Sequence, residues 1–261
     1  MFQHHRLAIE TVTKKLSSRD DVLGVIVGGS VAHGYANENS DIDLMIVLSD
    51  GDYKNMLLSG NVHYYESEST PWKDGYVDGK YTTVEYIKKV AEFGTEPARF
   101  AFDGAFVTYS KLDGLEQLVQ QASRYPTERK HENYVKFYAQ FEAWKWYYYE
   151  GLKRSDKYLM EVSVSNYVLF AGRLVLAYNE KLYPYHKWFL RVLNNVISKP
   201  DNMVPFILNV LETKAPEAVE ALYKCIVDFH DWAGSDKSWC DRFVLDSELN
   251  WLNGPAPIGD I

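Results

Sequence analysis

Cysteine is scarce in this chain, with only Cys225 and Cys240 among 261 residues. Two thiols cannot build a disulfide framework or a four-ligand zinc site, and a reducing compartment is the expected setting. Runs of basic residues are lacking too. Lys and Arg total 28 against 36 Asp and Glu, giving a formal charge of -8 and a pI near 5.4. Broad binding to nucleic acid needs a basic stripe, so it is not expected. No stretch approaches the roughly 18 apolar residues of a membrane span, and no apolar leader follows the His-containing start Met1–Arg6. The expectation is a cytoplasmic protein with no membrane segment. Neither a Walker-type glycine-lysine turn nor a Rossmann glycine fingerprint occurs, which removes two nucleotide-binding classes. There is no internal repeat and no low-complexity segment.

What is plentiful is core material. Hydrophobic residues make up 46%, with 20 Tyr, 12 Phe and 7 Trp, so a packed globular chain is expected rather than disorder. Leu7, Ile9, Val12 and Leu16 predict an amphipathic helix over 4–19. Val22–Val27 and Ile42–Leu48 are short apolar runs ending in turn signals, Gly28-Gly29 and Ser49-Asp50-Gly51-Asp52, and both read as buried strands. Further strands are expected at Val62–Glu66 and Lys80–Ile87, the latter after a turn at Val77-Asp78-Gly79. From Leu115 the texture changes. Tyr134, Phe137, Tyr138, Phe141, Trp144 and Tyr148 recur at threes and fours, the mark of a helix with a broad buried face. Val164–Tyr178 and Pro216–Trp232 repeat it. The pattern predicts an α+β chain: a mixed domain over 1–115, then a helical domain over 116–261.

The chemistry concentrates in Val27-Gly28-Gly29-Ser30-Val31-Ala32-His33-Gly34 and Ser40-Asp41-Ile42-Asp43-Leu44. On a strand, Asp41 and Asp43 share one face while Ile42 and Leu44 point to a core. Paired carboxylates repel and are costly to dehydrate, and a divalent cation relieves both costs. Mg²⁺ suits such a site, because it takes one or two carboxylates and completes its shell with water and phosphate oxygens. Gly28 and Gly29 permit close approach of the backbone, and the Ser30 hydroxyl can hold phosphate oxygens.

Gly29-Ser30, ten intervening residues and Asp41-Ile42-Asp43 resemble the signature of the nucleotidyltransferase superfamily related to DNA polymerase β. That group includes aminoglycoside and lincosamide nucleotidyltransferases. The resemblance is specific over Val22–Leu48. It implies a small mixed β-sheet flanked by helices, followed here by a helical-bundle domain. It also implies Mg²⁺-dependent attack on the α-phosphate of a nucleoside triphosphate, such as ATP, with release of pyrophosphate. Gly29 and Ser30 would bind the nucleotide, and Asp41 and Asp43 the metal.

The family adds a third acid from a neighbouring strand. Thr82-Thr83-Val84-Glu85-Tyr86-Ile87 resembles the strand that carries a glutamate in aminoglycoside adenylyltransferases. Glu85 is therefore the expected base or third metal ligand, with a solvent-facing glutamate as the other reading and Asp78 and Asp74 as alternatives in turn signals. In the helical half, Lys187 and Arg191 fall four apart, so Lys187 is a candidate for the triphosphate; a solvated helix face with stems packed on Trp188 is the competing reading. His33 and His186 read as turn or surface histidines. The expected reaction transfers AMP to a hydroxyl of a small-molecule acceptor such as an aminoglycoside or lincosamide antibiotic. The alternatives are a protein-modifying nucleotidyltransferase and an inactive nucleotide-binding module of the same fold.

Overall fold

The computed structural model describes residues 1–232, 238–254 and 258. It divides into two compact units, Met1–Tyr125 and Pro126–Ile261. The first begins with helix α1 (Gln3–Ser17), which buries Ala8, Ile9, Val12 and Leu16. Strand β1 (Val22–Val27), the short helix α2 (Gly29–Ala32), strand β2 (Ile42–Leu48) and helix α3 (Asp50–Ser59) follow. Next come β3 (His63–Glu66), β4 (Val77–Thr83), α4 (Val84–Phe93), α5 (Glu96–Phe100), β5 (Phe106–Ser110) and α6 (Leu115–Ala122).

The five strands form one mixed sheet in the order β3-β4-β2-β1-β5. β2 runs parallel to β4, and the other neighbours are antiparallel. Alternation gives the sheet two faces. Val25, Val27, Ile42, Leu44, Ile46, Leu48 and Val77 pack with the α1 residues in one cluster. Ile26, Met45 and Val47 pack in another with Ile87 and Val90 of α4 and Leu115, Val119 and Ala122 of α6. Each such aliphatic side chain, fully buried, contributes about 1.5–3 kcal/mol.

Three elements depart from the sequence reading. The turn cluster at Ser49–Asp52 opens a helix: the Ser49 hydroxyl accepts from Asp52 N–H, and two aspartates sit in the first turn. Val77-Asp78-Gly79 begins a strand rather than forming a turn. The expected strand over Lys80–Ile87 ends at Thr83, whose side chain accepts from Tyr86 N–H and starts α4. The division between units falls after Tyr125 rather than at 115, because α6 packs into the sheet's second face. Arg99, buried, donates to the Arg124 carbonyl at 3.2 Å and ties that end of the chain to the first unit.

The second unit is helical: α7 (Lys130–Arg154), α8 (Lys157–Tyr178), α9 (Phe189–Asn195), α10 (Met203–Thr213), α11 (Pro216–Val227) and α12 (Trp239–Phe243), with short 3₁₀ and π segments. α7 and α8 form its centre, where Phe141 and Tyr167 stack at 4.5 Å and the buried Tyr167 hydroxyl donates to the Val219 carbonyl. Among the described residues one helix does meet the length and composition of a membrane span, contrary to expectation: Lys157–Tyr178, of whose most apolar window half is buried inside the protein. Its buried Val164, Val168, Leu174 and Val175 are the apolar content of a core helix.

Candidate functional site

β1 delivers the chain to Gly28, whose N–H donates to the Asp43 carbonyl at 2.9 Å. Gly29 follows with φ +60°, a conformation that costs an L side chain energy. A methyl group on it would overlap the Asp43 carboxylate and lie 2.6 Å from Asp43 Cβ. Glycine is thus what lets α2 start directly against β2. Ser30 comes next and is buried. Its carbonyl accepts from the N–H groups of Tyr35 and Ala36, at 2.8 and 3.0 Å. Its hydroxyl has no hydrogen-bond partner among the described residues. A buried hydroxyl left so costs free energy, which is the signature of a donor awaiting an acceptor.

Asp41 and Asp43 lie at the start of β2, and the parallel register pairs Asp43 with Asp78 on β4. Asp43 and Asp78 therefore project from the same face as Met45. Ligand oxygens of Asp41, Asp43 and Asp78 all lie within 4.8 Å of one another, the one such group of three or more among the described residues. Two full charges 4.8 Å apart repel by about 1 kcal/mol under water-like screening and about 3 kcal/mol under protein-surface screening. The effect is visible nearby. Tyr76 has its phenol pKa raised, first by the charge of Asp41, then by burial and a hydrogen bond to Asp41, with Asp78 and Asp43 adding to it. His63 Nε2 lies 2.5 Å from Asp78 Oδ1. Three half-buried carboxylates are hard oxygen donors, and the set fits a divalent cation.

Glu85 is the expected third acid, but the structure does not bring it to Asp41 and Asp43. Glu85 is in the first turn of α4, with a half-exposed side chain 3.7 Å from Lys89. It is not part of the acidic group, whose third member is Asp78, the alternative weighed beside it. Lys187 belongs to the second unit, in the 3₁₀ turn His186–Trp188. Its ammonium lies 5.3 Å from the centre of the Trp188 ring, and the Arg191 guanidinium carbon lies 5.6 Å from it. Both cationic heads thus lie over the Trp188 ring. His33 sits in the turn that ends α2 but not at the surface: its ring is nearly buried, stacks on Phe100 at 4.3 Å and has its pKa lowered, chiefly by burial.

Two features escaped the sequence. Tyr76 and His63 flank the acids, yet nothing in their local pattern marks them. Asp78 was visible as an acid two residues after an aromatic and beside glycine, but that pattern reads as a turn until the register with Asp43 is known.

Residues 9–117 match the model of the nucleotidyltransferase domain family. A crystal structure of a nucleotidyltransferase-like protein from Exiguobacterium sibiricum 255-15 shares 10% identity, with a TM-score of 0.46, over 94% of this chain and 78% of that one. No curated protein matches the sequence significantly.

Proposed function

We propose that this chain is a nucleotidyltransferase, its residues 9–117 matching the nucleotidyltransferase domain family, and that it moves AMP from ATP to a hydroxyl of a small-molecule acceptor. The observation that carries this reading is the acidic group, Asp41, Asp43 and Asp78, set against Gly29 and the unpartnered Ser30 hydroxyl. Asp41 and Asp43 would hold Mg²⁺, with Asp78 as third ligand or base. Bound there, the ion would neutralise phosphate charge and polarise the α-phosphate. The Ser30 hydroxyl donates to a phosphate oxygen, and the close turn at Gly29 keeps that phosphate beside the carboxylates. The acceptor oxygen attacks the α-phosphorus, the bond from that phosphorus to the β-phosphate oxygen breaks, and pyrophosphate leaves. The proton of the acceptor hydroxyl passes to Asp78, which needs only hydrogen-bond reach of that oxygen. An aminoglycoside or lincosamide is a fitting acceptor on grounds of charge: a cationic compound is drawn to an acidic site on a chain of charge -8.

The test is direct. The protein is incubated with ATP, Mg²⁺ and a panel of hydroxylated amines, and products are read by mass spectrometry alongside pyrophosphate release. An adenylylated small molecule, lost with Asp43→Asn, is the expected result. Adenylylated protein substrates in place of small ones would move the reading to protein modification.

A further inference from the structure

Beyond Asp78, on the strand next to it, the sheet presents an aromatic surface that no step so far uses. β3 runs antiparallel to β4 with Tyr65 directly opposite Asp78, and directly opposed residues share a face. Tyr65 is 61% exposed, which is unusual for a large aromatic side chain on a sheet. Its ring stacks on Tyr76 at 5.5 Å and 29°, and the Tyr76 carbonyl accepts from the N–H of Ile42, the residue between the two aspartates, at 3.2 Å. His63 lies on the same face, 6.5 Å from Tyr65 and bonded to Asp78. The neighbouring Tyr64 and Glu66 turn to the other face, toward the α1 cluster and Lys15. The aromatic pair is therefore not part of the core.

The layout across the sheet has a direction. Gly29 and Ser30 follow β1, Asp41 and Asp43 lie on β2, Asp78 on β4 and Tyr65 on β3, in the sheet order β1-β2-β4-β3. In phosphoryl transfer the attacking and leaving oxygens lie roughly in line across the phosphorus. If pyrophosphate leaves toward Gly29 and Ser30, the attacking hydroxyl enters from the opposite side, past Asp78. The side chains waiting there are Tyr65 and Tyr76.

We infer that the Tyr65–Tyr76 pair is the acceptor subsite, and that it selects a hydroxylated ring compound, with one ring face lying on Tyr65 and a hydroxyl directed at Asp78. This rests on the nucleotidyl-transfer reading above and adds the side chains that hold the acceptor. A hydroxylated ring holds a patch of C–H groups in one fixed face for an aromatic to cover, whereas an open-chain polyol or polyamine must lose chain freedom to do so. The neighbouring carboxylates favour ring compounds that carry amines.

Two measurements on the full chain separate the subsite from the reading it rests on. Calorimetry with a non-hydrolysable ATP analogue and Mg²⁺ is run on wild type, Tyr65→Ala and Tyr65→Phe. Saturation-transfer NMR on the same nucleotide-loaded proteins then uses 2-deoxystreptamine and myo-inositol as ring probes, and spermidine and glycerol as open-chain probes. Equal nucleotide affinity in all three proteins is expected. The ring probes should bind wild type and Tyr65→Phe, and weaken about three- to tenfold in Tyr65→Ala, the worth of burying one or two C–H groups on the aromatic ring. Ring probes that bind no better than the open-chain ones, or that bind Tyr65→Ala as well as wild type, overturn the inference. So does a nucleotide affinity that falls with Tyr65→Ala, because the pair would then hold the nucleoside. Failure of wild type to bind the nucleotide at all would instead defeat the nucleotidyl-transfer reading, and the subsite with it.

Discussion

Replacing Gly29 by alanine should damage both stability and nucleotide binding, by an amount the local geometry sets. The backbone there has φ +60°, which costs a residue with a Cβ about 1–2 kcal/mol. The added methyl would also overlap the Asp43 carboxylate and lie 2.6 Å from Asp43 Cβ. A new rotamer relieves the carboxylate, but Cβ moves only with the backbone of β2, and forced overpacking of this kind costs about 1–3 kcal/mol. The sum is about 2–5 kcal/mol, equivalent to a fall in thermal midpoint on the order of 10 °C. Gly34→Ala is the control. Its φ is +73°, yet nothing lies within 4 Å of the new Cβ, so only the backbone term of about 1–2 kcal/mol applies. Thermal unfolding of both variants, paired with calorimetric titration of Mg-ATP, reads the two effects. Gly29→Ala should unfold several degrees below Gly34→Ala and lose nucleotide affinity, while Gly34→Ala keeps it. Equal midpoints, together with wild-type affinity in Gly29→Ala, would refute the claim that Gly29 exists to let α2 approach Asp43.

Asp78→Asn should slow transfer by about 10²–10⁴-fold, the usual contribution of a general base, with pyrophosphate release as the readout. Glu85→Gln should run at the wild-type rate and lose less than about 0.5 kcal/mol of stability, since it removes only an exposed ion pair with Lys89. Ser30→Ala should leave the unfolding midpoint unchanged or slightly raised, because it deletes an unpartnered buried hydroxyl. Its affinity for Mg-ATP should fall about 10- to 100-fold, the worth of one hydrogen bond to a charged phosphate. His5 and His33 both have pKa values lowered from 6.5, chiefly by burial. The unfolded chain therefore binds protons at these positions more readily, so their contribution is intact above pH 6.5 and is lost as pH falls below it. Thermal midpoints measured from pH 7 down to 5 should decline, and His5→Leu should flatten that decline; an unchanged slope would remove His5 from the explanation.

The sequence made the parts with strong local signals legible. Val22–Val27 and Ile42–Leu48 are continuous apolar runs closed by turn residues, and both are strands with those bounds. Asp41, Asp43, Gly29 and Ser30 were visible because spacing on a strand and a glycine turn are local properties. The misreadings occurred where a capping residue decided the outcome. Thr82-Thr83-Val84 is β-branched and looks like continuing strand, yet the Thr83 hydroxyl caps Tyr86 N–H and turns the chain into a helix with Glu85 in its first turn. Ser49 does the same before Asp50-Gly51-Asp52, a cluster that otherwise reads as a turn. Asp78 illustrates a different limit. Its membership of the acidic group depends on the parallel pairing of β2 with β4 across an intervening helix and strand, a long-range fact that no window of residues contains.

The most direct measurement is a calorimetric titration of ATP into the wild-type chain and into Asp43→Asn, each with and without Mg²⁺. The carboxylate group and the triphosphate should complete one metal site, so Mg²⁺ should raise the ATP affinity of wild type by at least about tenfold, a coupling of roughly 1.4 kcal/mol. Asp43→Asn should fold normally and show no such gain. Equal ATP affinity in wild type with and without Mg²⁺ would contradict the assignment of Asp41, Asp43 and Asp78 to a metal-assisted nucleotidyl transfer.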